Sequence, residues 1–175
     1  MSHDTQNILR RWREAVPNDR LAHLIRDTER AFRKSLQVRL AAHAVPFGHW
    51  AFLRILWEKD GLTQKELSER AGVMEPTTFA AMKAMEAQGY ILRKQLPTNR
   101  KNVYVYLSAR GRALRKKLVP LAEGTNSIST RGISPDELLT TRRVLLKMIE
   151  NLAEDERAWE AAPPRKPARL KRTEA

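Results

Sequence analysis

From Ala87 to Ala122 the sequence holds nine lysines and arginines and no aspartate or glutamate. They are Arg93, Lys94, Arg100, Lys101, Arg110, Arg112, Arg115, Lys116 and Lys117. A solvated surface usually mixes signs, so a one-sign run has the chemistry of a phosphate footprint; its plainer counterpart is simple solubility. The whole chain of 175 residues carries 33 basic against 20 acidic residues, a formal charge of +13. Such an excess attracts polyanions, either nucleic acid or a membrane surface. Other chemistries are poorly supplied. There is no cysteine, which excludes disulfides, thiolate nucleophiles and thiol redox sensing. His3, His23, His43 and His49 lack the short spacing that places two imidazoles on one metal, so no metal site or cofactor is expected. Neither a phosphate-cradling glycine loop nor a plausible serine, histidine and acid grouping is present, and the chain is not expected to be an enzyme.

The elements that must position these charges follow from periodicity. The longest apolar runs are too short to span a bilayer. Residues 1–13 are polar where a signal peptide needs an apolar block, so a cytoplasmic location is expected. Residues 18–44 read as a long helix with Leu21, Leu24, Ile25, Thr28, Phe32 and Leu36 on one stripe. Phe47 to Lys59 forms a second helix, ended by Gly61. Thr63 and Glu66 make a capping box that starts a short helix to about Arg70. Ala71-Gly72-Val73 is the turn, and Pro76 opens the next helix, which runs to Gly89. Two short helices joined by a glycine-containing turn form a helix-turn-helix. After Gly89 the period shortens to 2, and residues 90–96 and 103–107 alternate as hairpin strands around the polar tip 97–102. A hairpin placed there is a wing.

Ser108 caps a further helix to about Ala122, followed by a Gly-, Ser- and Thr-rich patch over 124–132. Ser134-Pro135-Asp136-Glu137 starts the last helix, whose seam is Leu138, Leu145, Ile149 and Leu152. The expected fold is mainly α with a small β-wing: a winged helix-turn-helix domain flanked by N- and C-terminal dimerisation helices. The divisions are 1–17, a flexible N-terminal segment; 18–46, an N-terminal dimerisation helix; 47–107, the winged domain; 108–160, C-terminal dimerisation helices; and 161–175, a disordered basic tail.

On this scaffold the candidate DNA-contacting residues can be placed by angle. On the recognition helix Met74, Thr78, Ala81, Met82 and Met85 share a core-facing stripe, while Pro76, Thr77, Phe79, Ala80 and Lys83 face outward. Thr78 also joins the candidates through its hydroxyl, as a phosphate contact. The outward surface lacks Arg, Asn and Gln, the side chains that pair bidentately with bases. It suits thymine methyl groups and phosphate, so specificity is expected to lean on DNA shape and on the wing. For Phe79, packing against a neighbouring helix is the equal alternative. Arg100 at the wing tip is placed to enter a minor groove, with Asn99, Lys101 and Asn102 beside it. Thr63, Gln64 and Lys65 start the first short helix, where exposed amides can hold a phosphate. Arg93 and Lys94 lie on the wing strand, and Arg93 is nearly as well suited to an intradomain salt bridge.

Trp50, Leu53, Leu56, the stretch Gly61-Leu62-Thr63-Gln64-x-Glu66-Leu67, then Thr77, Glu86, Gly89, Ile91, Arg93, Pro97 to Lys101, Leu107, Ser108 and Gly111 together resemble the multiple-antibiotic-resistance regulator family, MarR. Leu96 and Asn99 stand where the family usually has Asp, and Ala80 where it often has Arg. The resemblance implies an obligate homodimer formed by the terminal helices. It also implies repression of a palindromic operator, relieved by a small aromatic or anionic ligand such as an aromatic acid or its CoA thioester. That ligand would sit where the dimer helices meet the winged domain, near His43, His49, Trp50, Leu53, Trp57, Arg112, Arg115 and Lys116. The residues support a dimer independently, because the outer helices carry apolar stripes that the small winged domain cannot cover. A palindromic duplex would match two recognition helices about one DNA turn apart. The alternative is a non-specific architectural DNA-binding protein, favoured by the charge and by the basic tail. Recruitment by another protein through that tail is a third reading.

Overall fold

In a computed structural model, residues 3–14, 21–97 and 99–161 are described. They divide into two compact units, one reaching to Ser129 and the other beginning at Thr130. The first unit contains α1 (His3–Glu14), α2 (Leu21–Ala41), α3 (Phe47–Glu58), β1 (Leu62–Thr63), α4 (Gln64–Ala71), α5 (Glu75–Ala87), β2 (Ile91–Leu96), β3 (Asn99–Leu107) and α6 (Ala109–Ser129). The second unit holds α7 (Pro135–Ala161). The mainly helical class with a small β-wing is therefore as expected.

A three-stranded antiparallel sheet of order β1-β3-β2 carries the wing. β1 pairs Leu62 with Val105 and Thr63 with Tyr104; so short a strand leaves no period in the sequence. Apolar residues at every second position of the strands and every third or fourth of the helices converge on one core. Leu40, Leu53, Leu67, Met82, Met85, Ile91, Val105 and Leu118 are fully buried in it.

Several boundaries differ from the sequence-based expectation. A flexible segment is expected over 1–17, yet His3–Glu14 is helical. Trp12 Nε1 and Arg11 Nη2 both donate to Asp27 Oδ2 on α2, at 3.1 and 2.6 Å. The Trp12 bond above all, then the charges of Arg11, Arg26 and Arg30, holds the Asp27 carboxyl below its ordinary range against the cost of burial. The six-residue tip also contracts: Leu96 pairs with Asn99 while Gln95 pairs with Val103, so residues 100–102 form an irregularity within β3. Finally, α6 continues through the Gly-, Ser- and Thr-rich patch to Ser129, with Pro120 inside it. The hydroxyls of Thr125 and Ser127 donate to the carbonyls of Leu121 and Glu123 one turn back, so their polar groups are satisfied within the helix.

The start of α6 is fixed by a close backbone approach. A Cβ on Gly111 would stand 2.0 Å from the Tyr90 carbonyl oxygen, so only glycine fits. The same Gly111 carbonyl accepts from Trp57 Nε1 at 3.0 Å, joining α3 to α6.

α7 begins with a second capping box. Ser134 Oγ donates to Glu137 Oε2 at 2.7 Å and accepts from the Glu137 amide at 3.3 Å. No residue of α7 is fully buried, and Leu139, Val144, Leu145, Leu146, Ile149, Leu152 and Trp159 are exposed along it.

Candidate nucleic-acid interface

The first helix of the helix-turn-helix is set by Thr63 and Glu66. Thr63 N and Oγ1 donate to Glu66 Oε2 at 2.7 and 2.8 Å, and Thr63 Oγ1 accepts from the Glu66 amide at 3.2 Å. Donation from the Thr63 backbone, then from its hydroxyl, holds the Glu66 carboxyl below its ordinary range. The Thr63 hydroxyl is thus committed to the cap. Gln64 is half-buried with its Nε2 lacking a partner among the described residues, and Lys65 is exposed. Gly72 ends α4 at φ 62°, a left-handed turn that a side chain would strain.

Across that turn, Ser68 and Thr78 are hydrogen-bonded through their hydroxyls at 2.8 Å, inside the domain. Thr78 is fully buried, as its place on the core-facing stripe implied, so its hydroxyl is not available for the phosphate contact expected of it. Its place on the core stripe with Met82 and Met85 leaves its hydroxyl only Ser68 to face. Met74 is corrected in the opposite sense: expected inside, it is 76% exposed. It is the N-cap of α5 with extended backbone, so the helical angle does not apply to it. Phe79 is 55% exposed and points away from the core, as do Pro76, Thr77, Ala80 and Lys83.

The wing base is held by Glu86 and Arg93. Arg93 Nε and Nη2 reach Glu86 Oε2 at 2.7 and 2.6 Å, and the Arg93 amide donates to Oε1 at 3.3 Å. The hydrogen bond from Arg93 depresses the Glu86 carboxyl below its ordinary range. Arg93 is therefore engaged within the domain, as one of its two expected roles required. Lys94 and Asn102 are exposed, while Asn99, Arg100 and Lys101 lie on β3. Arg110 stacks over the Tyr90 ring at 5.1 Å, and Arg112 pairs with Asp60 at 3.1 Å.

The residues expected around a ligand lie in different settings. His43 is exposed; His49 Nδ1 lies 3.1 Å from Gln88 Oε1. Burial pushes the His49 imidazole below its usual range, partly opposed by that bond. Leu53 belongs wholly to the core, Trp57 serves Gly111, and Arg115 and Lys116 are exposed on α6. Trp50 alone of the eight lines a cleft of about 220 Å³, together with Phe47, Arg33, Arg54, Leu36 and Asn126. Trp50 and Trp57 meet edge to face with ring centroids 5.7 Å apart. Arg33 lies 5.4 Å over the Phe47 ring and is paired with Glu29 at 2.6 Å. Sequence reasoning missed Phe47, Arg33 and Arg54; only their convergence in space groups them. A larger cleft, of about 430 Å³, lies between α1, α2 and α6 and includes Leu9, Trp12, Leu24, Phe32 and Ile128.

Residues 48–103, the span from α3 through the helix-turn-helix to the wing, match the sequence profile of the MarR family. Over this span the chain resembles the MarR family. The relatives it matches are transcriptional regulators. The HTH-type transcriptional regulator TtmR of Methylorubrum extorquens (strain PA1) is 27% identical over 125 residues, which cover 71% of this chain and 61% of TtmR. A putative MarR family regulator from Listeria monocytogenes, solved in complex with 26mer DNA, superposes with a TM-score of 0.69 at 23% identity, covering 83% of this chain and 97% of that one. Bordetella bronchiseptica BpsR, whose DNA binding is regulated by 6-hydroxynicotinic acid, superposes with a TM-score of 0.68 at 21% identity, covering 74% and 98%. At these identities the two structures establish the winged-helix fold. The regulator identity of the relatives agrees with the expectation that this chain is not an enzyme. Among the described residues no helix is long and apolar enough to cross a membrane.

Proposed function

We propose that this MarR-like protein is a homodimeric, sequence-specific transcriptional repressor of a palindromic duplex operator, acting in the cytoplasm on the nucleoid. One observation carries the reading: a capped helix-turn-helix presents an outward face on α5 and is followed by a hairpin in an acid-free, basic stretch of sequence. Pro76, Thr77, Phe79, Ala80 and Lys83 would meet the major groove. Gln64 and Lys65 would hold a phosphate at the start of α4, and Lys94, Asn99, Arg100, Lys101 and Asn102 would follow the backbone and minor groove.

The dimer is supported by apolar surface. Leu21, Leu24, Ile25 and Phe32 on α2 are each at least 36% exposed, as are Leu139, Val144, Leu145, Leu146, Ile149, Leu152 and Trp159 on α7. An uncovered stripe on each of two long helices costs too much in water for a stable monomer. A small aromatic or anionic effector is supported by the Phe47 and Trp50 cleft, where apolar rings lie beside Arg33 and Arg54. BpsR and its 6-hydroxynicotinic acid give the precedent.

A second reading, a non-specific architectural DNA binder, is favoured by one observation: no Arg, Asn or Gln lies on the outward face of α5. Fluorescence anisotropy separates the two. DNA from upstream of the protein's own gene is compared with scrambled DNA across a salt series. A preference of about a hundredfold or more at moderate salt is expected; equal affinities that collapse together as salt rises would establish the architectural reading.

A further inference from the structure

The outward face of α5 is chemically narrow. Its exposed residues are Glu75, Pro76, Thr77, Phe79, Ala80, Lys83, Ala84 and Ala87, preceded by the exposed Met74. Met74 and Phe79 are its two large apolar groups, at 76% and 55% exposure. Thr78, the remaining threonine of the helix, is buried. Among base edges in the major groove, only thymine presents a methyl group, whereas guanine presents two acceptors that call for paired donors. This face has no paired donor. Its only acid, Glu75, can accept from an adenine or cytosine amino group but is repelled by the acceptors of guanine. Lys83 lies one turn beyond Phe79, on the same side, where its ammonium would reach a phosphate.

We propose that α5 reads thymine C5-methyl groups directly through Met74 and Phe79, so that each half-site is rich in A·T pairs where the helix enters the groove. This rests on the DNA-binding reading above and adds a base-specific contact to the shape and wing readout expected from the sequence. The surrounding charge favours DNA as the occupant of this apolar face. The net charge is +13, and Lys65, Lys83 and Lys94 are exposed on the elements that bear and follow the helix. Exposed Met and Phe are costly in water and gain most from a partner that offers methyl groups at the floor of a groove.

The test begins with selection of binding sites from random duplexes by the full-length protein. In the selected site each thymine is then replaced by deoxyuridine, which removes only the methyl group, and affinity is read by anisotropy at fixed salt. Affinity is expected to fall about 3- to 5-fold at one or more thymines per half-site, the equivalent of one methyl group buried. Phe79→Ala and Met74→Ala should each erase the thymine–uracil difference at their own position. Both side chains are exposed, so both variants should keep the parent's circular dichroism and melting midpoint. At the same position, 5-methylcytosine should recover part of the affinity that cytosine loses, because it restores the methyl without the A·T pair. If a site is selected but uracil is neutral at every thymine, or if both variants keep the discrimination, the proposal is overturned while the DNA-binding reading stands. If no site is enriched, sequence-specific binding falls and the proposal with it.

Discussion

Arg93 holds Glu86 through two guanidinium nitrogens on one carboxylate oxygen, at 2.6 and 2.7 Å, so the wing is tied to the recognition helix that precedes it. The pair lies between α5 and β2, the two elements that must present their surfaces to one stretch of duplex. With its guanidinium engaged by Glu86, Arg93 is expected to act on DNA binding by positioning the wing. Arg93→Ala is expected to weaken binding to all duplexes by a similar factor and to leave the selected sequence unchanged. An altered preference in a selection experiment would instead make Arg93 a direct reader.

The same pair sets a pH dependence. Glu86 is held below its ordinary value of 4.5, chiefly by the hydrogen bond from Arg93. A depressed carboxyl contributes stability that is fully present above the unfolded value and is lost as pH falls through the folded one. The melting midpoint of the parent should therefore exceed that of Glu86→Gln by a constant margin near neutral pH. That margin should shrink as pH falls below about 4.5. A margin independent of pH would show that the ionic form of Glu86 contributes nothing.

Thr78 is a structural residue of the helix-turn-helix. Thr78→Val keeps the shape and removes the hydroxyl partner of Ser68, which retains the Gln64 carbonyl as an acceptor at 3.0 Å. The expected cost is about 1 kcal/mol, read by urea unfolding. The salt slope of DNA binding should not change; loss of one phosphate contact from the slope would place the hydroxyl at the DNA.

Gly111 tolerates no side chain. Gly111→Ala would drive a methyl group into the Tyr90 carbonyl and displace the carbonyl that accepts from Trp57. A loss of about 2–4 kcal/mol is expected by denaturant unfolding, the range for overpacking combined with a broken buried contact. A near-neutral result would mean that the start of α6 can shift freely away from the strand.

Lys83 and Lys94 are exposed on α5 and β2. If each neutralises one phosphate, substitution of either by Ala should lower the slope of log affinity against log salt by about 0.9. The loss should be the same on selected and random DNA. An unchanged slope for both variants would move the phosphate track to the other basic positions.

Much of this protein is legible without coordinates, because its signals are local. The Thr63 and Glu66 capping box, the Ser134 start of α7, the glycine turn between α4 and α5 and the change of period at the wing each involve residues a few positions apart. What only the tertiary structure decided depends on neighbours distant in sequence. The Thr78 hydroxyl is taken up inside the domain by Ser68 across the turn, so it cannot serve a phosphate. Met74 is exposed because the helix has not yet begun where it stands. α1 is helical because Ile8, Leu9 and Trp12 face a cleft that Asp27 closes with two hydrogen bonds. The cleft at Phe47 and Trp50 likewise draws Arg33 from α2 and Asn126 from α6. Periodicity assigns a residue to a face; burial, pairing and the shape of a cleft are settled by what the folded chain brings opposite that face.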